Sequence, residues 1–195
     1  MTKVLLVFNL ENVLCSYNSQ KSIGLGQVQD PNSLMIRNEI QDLCHFLFIR
    51  NKLHIKVGVW TSESPEKTEF LCKKIFSDYH RHLLFKYSSP NQSVPIDLAR
   101  IWFNYPDYSQ KNTLYLDTNP NSATPNASVL QFPKYADDNC LPLFQEYLRF
   151  FSYQYLEGRI TDIDKFIGRV KFLDYYTEKS RFFKGKPTGE AFRFW

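Results

Sequence analysis

The chain has 195 residues and a formal net charge of +4 at pH 7, with 24 Lys and Arg against 20 Asp and Glu. This length suits one domain that can bury a hydrophobic core, with room for a tail. The charge is small and both signs are mixed along the chain, so it lacks the concentrated basic face that nucleic-acid binding normally requires.

The 4 cysteines and 4 histidines are scattered, and they form neither a C-x-x-C pair nor a zinc-ligand spacing. We therefore expect reduced, mostly buried cysteines in an intracellular, reducing compartment. No apolar run approaches the roughly 20 residues of a membrane-spanning helix. The first strand is predicted to begin near Lys3, which leaves no room for a cleavable N-terminal signal.

The first elements along the chain are predicted to be a buried strand, an insertion and a helix. Residues 4–8 form a short, continuous run rich in Val and Leu, which is typical of a strand buried on both faces. Residues 16–33 are polar, contain glycine and proline, and are interpreted as a connecting insertion. Ser33 then precedes apolar residues at helical spacing, from Ile36 to Leu47, which predicts an amphipathic helix.

The middle of the chain continues this alternation of strand and helix patterns. A second buried strand is predicted over residues 53–60, and Pro65 begins a helix that runs to about Phe76. Residues 83–87 are predicted to form a third strand. Residues 91–110 contain prolines and several aromatic residues and are predicted to be irregular.

The later elements complete the prediction of a parallel α/β sheet. Residues 113–116 are predicted to form a strand, residues 129–132 a short edge strand and residues 141–155 a helix. Strands that alternate with helices, without an internal repeat, indicate a mostly parallel central sheet with flanking helices. We divide the chain into a domain over residues 1–155 and a C-terminal helix and arm over residues 156–195.

The C-terminal forty or so residues differ in character from the rest. Thr161 with Asp164 three residues later resembles a capping box, and apolar residues from Ile163 to Val170 then line one helical face. Beyond Ser180 the chain is rich in aromatic side chains without periodicity, and a free tail of this composition would be sticky. We expect this arm to pack on its own domain or on a partner protein. The candidate docking residues are Phe182, Phe183, Phe192, Phe194 and Trp195.

Three predicted strands are followed by, or end in, polar residues. Asn9 and Glu11 follow the first strand, Thr61 follows the second, and Asp117 ends a later one. In a parallel sheet these ends share one edge, where open α/β sheets build ligand sites. Phosphoryl transfer through an aspartyl intermediate would need a carboxylate nucleophile, an acid, a hydroxyl, a cation and bound Mg²⁺ there. Thr61 and Asp117 suit that chemistry, whereas the amide of Asn9 does not.

These motifs, in this order, resemble the haloacid dehalogenase superfamily over residues 3–152. The similar branch contains the RNA polymerase II C-terminal-domain phosphatases and the NLI-interacting-factor-like phosphatases, including the phosphatase-like receptor subunit of the mitochondrial presequence translocase. The branch motif D-x-D-x-T is matched by Asn-Leu-Glu-Asn-Val at residues 9–13, and a strand ending in V-V-W-T-A is matched by residues 57–62. The branch motifs Arg-Pro-Gly, Lys-Asp-Leu and V-D-N-S-P are matched by residues 37–39, 96–98 and 116–120.

The resemblance implies a Rossmann-like haloacid dehalogenase fold whose active site has lost its chemistry. An amide replaces the carboxylate nucleophile, a longer acid replaces the proton donor, and apolar side chains replace the motif's Thr and the phosphate-binding Lys. Asp117 alone is a weak candidate ligand for Mg²⁺, so we expect neither Mg²⁺ nor another cofactor. The degenerate positions are Asn9, Glu11, Val13, Thr61, Ile96 and Asp117.

We therefore predict a pseudophosphatase that serves as a structural or accessory subunit of a larger protein assembly. Its partners would be other protein subunits and not nucleic acid, and it could sit on a membrane complex without a membrane span of its own. Two alternatives stay open: a peptide-binding receptor module like the translocase subunit, and a divergent Mg²⁺-dependent phosphatase. The kinship with the translocase subunit favours the mitochondrion over the nucleus and the cytosol.

Overall fold

The computed structural model describes residues 3–17, 34–89, 95–125, 127–134, 140–160 and 162–183. Within these ranges the side chains of residue 156 and of residues 181–183 are outside the description. None of the helices in the described part of the chain is both long and apolar enough to cross a membrane.

Seven strands form the framework of the described residues. They are β1 (Val4–Phe8), β2 (Cys15–Tyr17), β3 (Leu34–Ile36), β4 (Ile55–Thr61), β5 (Lys86–Ser88), β6 (Thr113–Asp117) and β7 (Val129–Gln131). Five of them pair in parallel in the order β5-β4-β1-β6-β7, while β2 and β3 form a separate antiparallel pair. The predicted α/β class is therefore confirmed, and β7 lies at an edge of the sheet as predicted.

Helices connect the strands and cover the sheet. In the described ranges they are α1 (Ile40–His45), α2 (Pro65–Phe76), α3 (Ala99–Asn104), α4 (Cys140–Leu156), α5 (Ile163–Arg169) and α6 (Phe172–Phe183). A π-helical turn, Phe46–Arg50, continues α1, and 3₁₀ turns cover Ser77–His82 and Gln110–Asn112. The helices predicted to begin at Pro65 and at residue 141 are confirmed to within a residue.

The sheet separates two hydrophobic clusters. Leu6 and Phe8 of β1 point into the larger cluster, and Leu5 and Val7 point into the smaller one. This alternation follows from the two-residue period of a strand, and it explains why all five residues of β1 are buried. On β4, Gly58 lies against the ring of Phe85, which leaves no space there for a Cβ atom.

The larger cluster contains a set of packed rings that we call the aromatic layer: Phe8, Phe132, Phe144, Tyr147, Phe151, Phe166 and Phe172. Its centre is a triangle in which the ring of Phe132 lies 4.8 Å from Phe144 and 4.9 Å from Phe172, with 5.3 Å between the last two. Edge-to-face and tilted pairs of this kind add stability beyond the area that they bury. The layer joins the sheet to α4, α5 and α6.

The prediction of a helix directly after Ser33 is wrong about where the helix starts. Residues Leu34–Ile36 form β3, which pairs with β2, and the helix begins only at Ile40. Glu39 has a left-handed backbone, with φ of 61°, and this conformation ends the extended segment before the helix. Two residues of the predicted insertion belong to β2, and residues 18–33 lie outside the described residues.

Three other predicted boundaries differ for local reasons. Residues 51–54 form a turn, in which the Asn51 carbonyl accepts hydrogen bonds from the N–H groups of His54 and Ile55, so β4 begins two residues later than predicted. The strand predicted over residues 83–87 is reduced to β5. The segment predicted to be irregular contains α3, whose first N–H, that of Ala99, donates to the Asp97 carboxylate.

The predicted helix near residue 163 is confirmed as α5, although its cap differs. Asp162 is the N-cap and accepts from the N–H of Asp164 at 3.0 Å, while Thr161 lies outside the described residues. The next helix, α6, includes the backbones of Phe182 and Phe183, so the start of the predicted aperiodic arm is helical. Phe192, Phe194 and Trp195 lie outside the described residues. The docking roles and the boundary after residue 155 therefore stay predictions.

Candidate functional site

The sheet brings Asn9, Thr61 and Asp117 to one edge. Thr61 is the last residue of β4, Asp117 is the last residue of β6, and Asn9 directly follows β1 between them. The register places Phe8 opposite both Val59 and Leu116, and the N–H of Asn9 donates to the Leu116 carbonyl at 3.0 Å. We call the region around these strand ends the crevice.

The centre of the crevice is a hydrogen-bonded contact between Asn9 and Asp117. The Asn9 Nδ2 group donates to Asp117 Oδ2 at 2.9 Å, and the Tyr115 hydroxyl donates to the same oxygen at 2.9 Å. Burial and the adjacent carboxylate raise the pKa of Tyr115, which keeps its hydroxyl protonated as a donor. On the other side, Asp117 Oδ1 accepts the backbone N–H of Asn119 at 2.9 Å, which caps the following turn.

This contact determines the orientation of the Asn9 amide. Its N–H points at a carboxylate, so the opposite orientation would place two acceptor oxygens against each other. In the described structure, Asn9 Oδ1 is buried without a hydrogen-bond partner. A carboxylate at this position would lie within contact distance of Asp117 and would lose the attraction that the amide provides.

Glu11 interacts with the start of α2, away from the contact between Asn9 and Asp117. Its Oε1 lies 3.6 Å from Lys67 Nζ, and that ammonium group lies 2.8 Å from Glu63 Oε2. Burial and the neighbouring Glu63 raise the pKa of Glu11 to about 7. Burial by itself would raise the pKa of Glu63, but hydrogen bonds from Glu11 and Lys67 outweigh it and lower this pKa. Lys67 also lies over the Tyr17 ring, 4.6 Å from its centroid.

Arg37 holds the backbone of the loop that follows β1. Its guanidinium is buried and donates to the carbonyls of Val13 at 2.5 Å, Pro133 at 2.8 Å and Asn12 at 3.3 Å. The Val13 side chain is fully buried in the larger cluster. From the sequence, Arg37 was only the first residue of a degraded motif. Its bonds to residues 24 and 96 positions away have no signal in the local sequence.

Thr61 and Ile96 have structural partners of their own. The Thr61 hydroxyl accepts the N–H of Glu63 at 3.4 Å, just before Ser64 caps α2. Ile96 forms a bridge with Ala123, and its side chain packs against the smaller cluster. The structure therefore places the apolar side chain of Ile96 beside the loop after β6.

Judged on the described residues alone, the crevice does not fit a divalent metal ion. Asp117 is the carboxylate that contacts Asn9, and its two oxygens already accept three hydrogen bonds, from Asn9, Tyr115 and Asn119. Within the described ranges, no three or more His, Cys, Asp and Glu side chains are grouped so that they could hold a metal ion. A hard cation such as Mg²⁺ needs several oxygen ligands, usually including carboxylates. That the protein needs no cofactor stays a prediction.

The parallel sheet has polar residues at the carboxyl ends of β1, β4 and β6, which is the edge where open α/β folds build their ligand sites. The model of the NLI interacting factor-like phosphatase family matches residues 4–158, and the chain belongs to this family. This confirms the branch that the motifs indicated.

Solved structures give a distant likeness, and no curated protein matches the chain. The structure of Fcp1, an essential RNA polymerase II CTD phosphatase, is 10% identical with a TM-score of 0.47, over 97% of this chain and 55% of that one. The fission yeast RNA polymerase II CTD phosphatase Fcp1 bound to beryllium fluoride is 11% identical with a TM-score of 0.47, over 97% of this chain and 68% of that one.

Proposed function

We propose that this protein is a catalytically inactive member of its phosphatase family and acts as an accessory subunit of a larger protein assembly. The observation that carries the proposal is the contact between Asn9 and Asp117. An amide occupies the position that follows β1, and its N–H is held by a buried carboxylate. A neutral amide is a far poorer nucleophile than the carboxylate that an aspartyl phosphatase uses.

The neighbouring groups support the same proposal. Glu11 Oε1 lies 3.6 Å from Lys67 Nζ, and burial and the neighbouring Glu63 raise the pKa of Glu11, so this carboxyl group interacts with residues at the start of α2. Ile96 offers no charge for phosphate oxygens. Because the groups of a covalent mechanism act together, losing the nucleophile alone commonly lowers the rate by several orders of magnitude. Restoring one group should therefore restore little.

The accessory role rests on a different argument. The described residues form a five-stranded sheet and a crevice held by hydrogen bonds, in which an amide stands at the nucleophile position. Residues 184–195 include Phe192, Phe194 and Trp195. Aromatic side chains are enriched at contact sites between proteins. We propose that residues 184–195 dock on other protein subunits, and that the assembly is mitochondrial.

The catalytic half of the proposal is tested with a generic aryl phosphate in the presence of Mg²⁺. We expect the native chain and Asn9→Asp to show no turnover above buffer. Asn9→Asp combined with Glu11→Asp, Val13→Thr and Ile96→Lys tests whether restoring the replaced groups together restores activity. Asn9→Ala is the control for contaminating phosphatase. Native turnover that disappears in Asn9→Ala would show that the protein is an enzyme.

The accessory half is tested by affinity purification of the tagged full chain from its native source. A chain that ends at Phe183 should keep its circular dichroism spectrum and lose its co-purifying subunits. Retention of the same subunits would show that the terminal segment is not the docking element. Identification of the subunits and fractionation of the cell would decide the mitochondrial assignment.

A further inference from the structure

At the opposite edge of the sheet, the turn that leads into β4 exposes two aliphatic side chains. Ile49 is 48% exposed and Leu53 is 62% exposed. Hydrogen bonds fix the conformation of this turn. The Asn51 side chain donates to the Phe46 carbonyl at 2.9 Å, and the Asn51 carbonyl accepts two backbone N–H groups. The two side chains are therefore held outward by a fixed backbone and do not belong to a loose loop.

Basic side chains surround these two residues. Arg50 and Lys52 are exposed in the same turn, and the Lys56 ammonium reaches back to the Lys52 carbonyl at 2.9 Å. The 3₁₀ turn that contacts Phe48 through Tyr79 and His82 also carries the exposed Arg81. We call this surface the basic tip: Ile49, Arg50, Lys52, Leu53, Lys56 and Arg81.

The 3₁₀ turn is fixed against the basic tip by ring contacts. The ring of Phe48 stacks on Tyr79 at 5.6 Å and lies 6.4 Å from the His82 ring. The acid on this turn is Asp78, which is exposed. Among the residues that the structure describes, Arg50, Lys52 and Arg81 form no ion pair. The tip therefore presents positive charge, which no acid among the described residues pairs with, around exposed aliphatic groups.

We propose that the basic tip binds the surface of an anionic lipid bilayer. Aliphatic side chains that project among cations match the boundary between headgroups and acyl chains, where the apolar groups insert and the cations meet anionic headgroups. A stable protein interface would need about 800 Å² on each partner and buried aromatic or Arg anchors at its centre. The tip instead offers two separate aliphatic side chains on a turn, which a fluid bilayer accepts. This binding goes beyond the proposed accessory role and does not depend on it.

The first experiment measures sedimentation of the full chain with lipid vesicles. Vesicles of phosphatidylcholine with about 30% phosphatidylserine supply the negative surface that polybasic segments recognise, and pure phosphatidylcholine vesicles are the comparison. We expect binding to the anionic vesicles only, weakened as added salt screens the charges. Each cation near such a surface contributes about 1 kcal/mol, which corresponds to a roughly fivefold change in partitioning.

Charge reversal separates the tip from a general effect of net charge. Arg50→Glu with Lys52→Glu should lower partitioning at least about tenfold, since two favourable contacts become repulsive. The matched control is Arg100→Glu with Lys134→Glu, which makes the same change in net charge at exposed positions away from the tip. All four side chains are exposed, so both double variants should fold, which circular dichroism checks.

The second experiment detects insertion of Leu53. The four native cysteines are all buried, so an environment-sensitive thiol dye should label Leu53→Cys selectively. Its emission should shift to the blue on anionic vesicles. The control is Phe103→Cys, at a position that is 87% exposed on α3, whose emission should not shift.

Three results would overturn the proposal. One is the absence of binding to anionic vesicles at low salt. Another is equal loss of binding in the tip and control double variants. The third would come from a binding experiment in which a synthetic peptide, with Glu-rich and Leu-rich turns in alternation, replaces the vesicles. If the tip binds this peptide and not the vesicles, the surface is a docking site for an acidic protein segment.

Discussion

The crevice and the aromatic layer stabilise the same domain in different ways. In and beside the crevice, buried polar groups interact through directional bonds, such as those from Asn9 and Tyr115 to Asp117 and from Arg37 to three carbonyls. Asn9 Oδ1 is the exception, because it has no partner among the described residues. In the aromatic layer, rings exclude water and contact one another without directional charge, as in the triangle around Phe144. The crevice therefore depends on which donors and acceptors its residues supply, whereas the aromatic layer depends on the volume and fit of its rings.

The two regions also differ in how they relate to the family. The crevice lies inside the matched residues 4–158, whereas Phe166 and Phe172 of the aromatic layer come from helices beyond them. The C-terminal helices therefore complete a core that the family domain begins. Substitutions in the two regions should accordingly differ in size and in their dependence on pH.

The largest expected effect is that of Phe172→Ala in the aromatic layer. Phe172 is almost fully buried and its ring contacts Phe132, Phe144 and Tyr147, so the substitution should lower the free energy of unfolding by about 3–5 kcal/mol. Urea denaturation measures this loss. Phe103→Ala removes the same ring from an exposed position and should change stability by less than about 0.5 kcal/mol. A similar small loss for Phe172→Ala would show that α6 is not part of the core.

Arg37→Ala should have the next largest effect. It removes the donors for the carbonyls of Val13, Asn12 and Pro133 in a buried position, so we expect a loss of about 2–4 kcal/mol. Arg37→Lys retains the charge but not the planar arrangement of donors, and should recover only part of the loss. Full recovery in Arg37→Lys would mean that charge alone, and not the fork of hydrogen bonds, holds the loop.

Asn9→Asp places a second carboxylate against Asp117 and should cost about 1–3 kcal/mol at neutral pH. The repulsion raises the pKa of the pair in the folded state, so stability should recover as the pH falls and one carboxylate takes a proton. Thermal unfolding at several pH values measures this. Asn119→Asp, on an exposed side chain in the same loop, is the matched control. An equal response in both variants would show that the contact between Asn9 and Asp117 has no special role.

The smallest effect is the contribution of Glu11 to the pH dependence of stability. Its folded pKa of about 7 lies above the unfolded value of 4.5, so the folded state holds an extra proton between these two values. Stability should therefore fall as the pH rises through this window, and Glu11→Gln should flatten that slope. Urea midpoints across the window provide the measurement. Glu66→Gln, an exposed change on α2, should leave the slope intact.

Much of the fold could be predicted because its signals are local. The Val and Leu run of β1 and the cap and proline of α2 each act within a few residues. The start of the first helix was predicted wrongly because Leu34–Ile36 suit a strand and a helix equally well. Pairing with β2 makes these residues a strand. α3 was missed because a helix of one and a half turns carries little periodicity.

For the candidate site too, some features could be predicted from the sequence and others only from the structure. That Asn9 is an amide and that Ile96 has no charge are properties of the residues, so the proposal that the nucleophile and the cation are missing could be made from the sequence alone. The tertiary structure decided that the Asn9 amide faces Asp117, 108 residues away, that Glu11 lies beside Lys67 and Glu63, and that Arg37 supports the loop. Chemical identity belongs to each residue by itself, whereas contacts between distant residues depend on the register of the sheet and on which groups it buries.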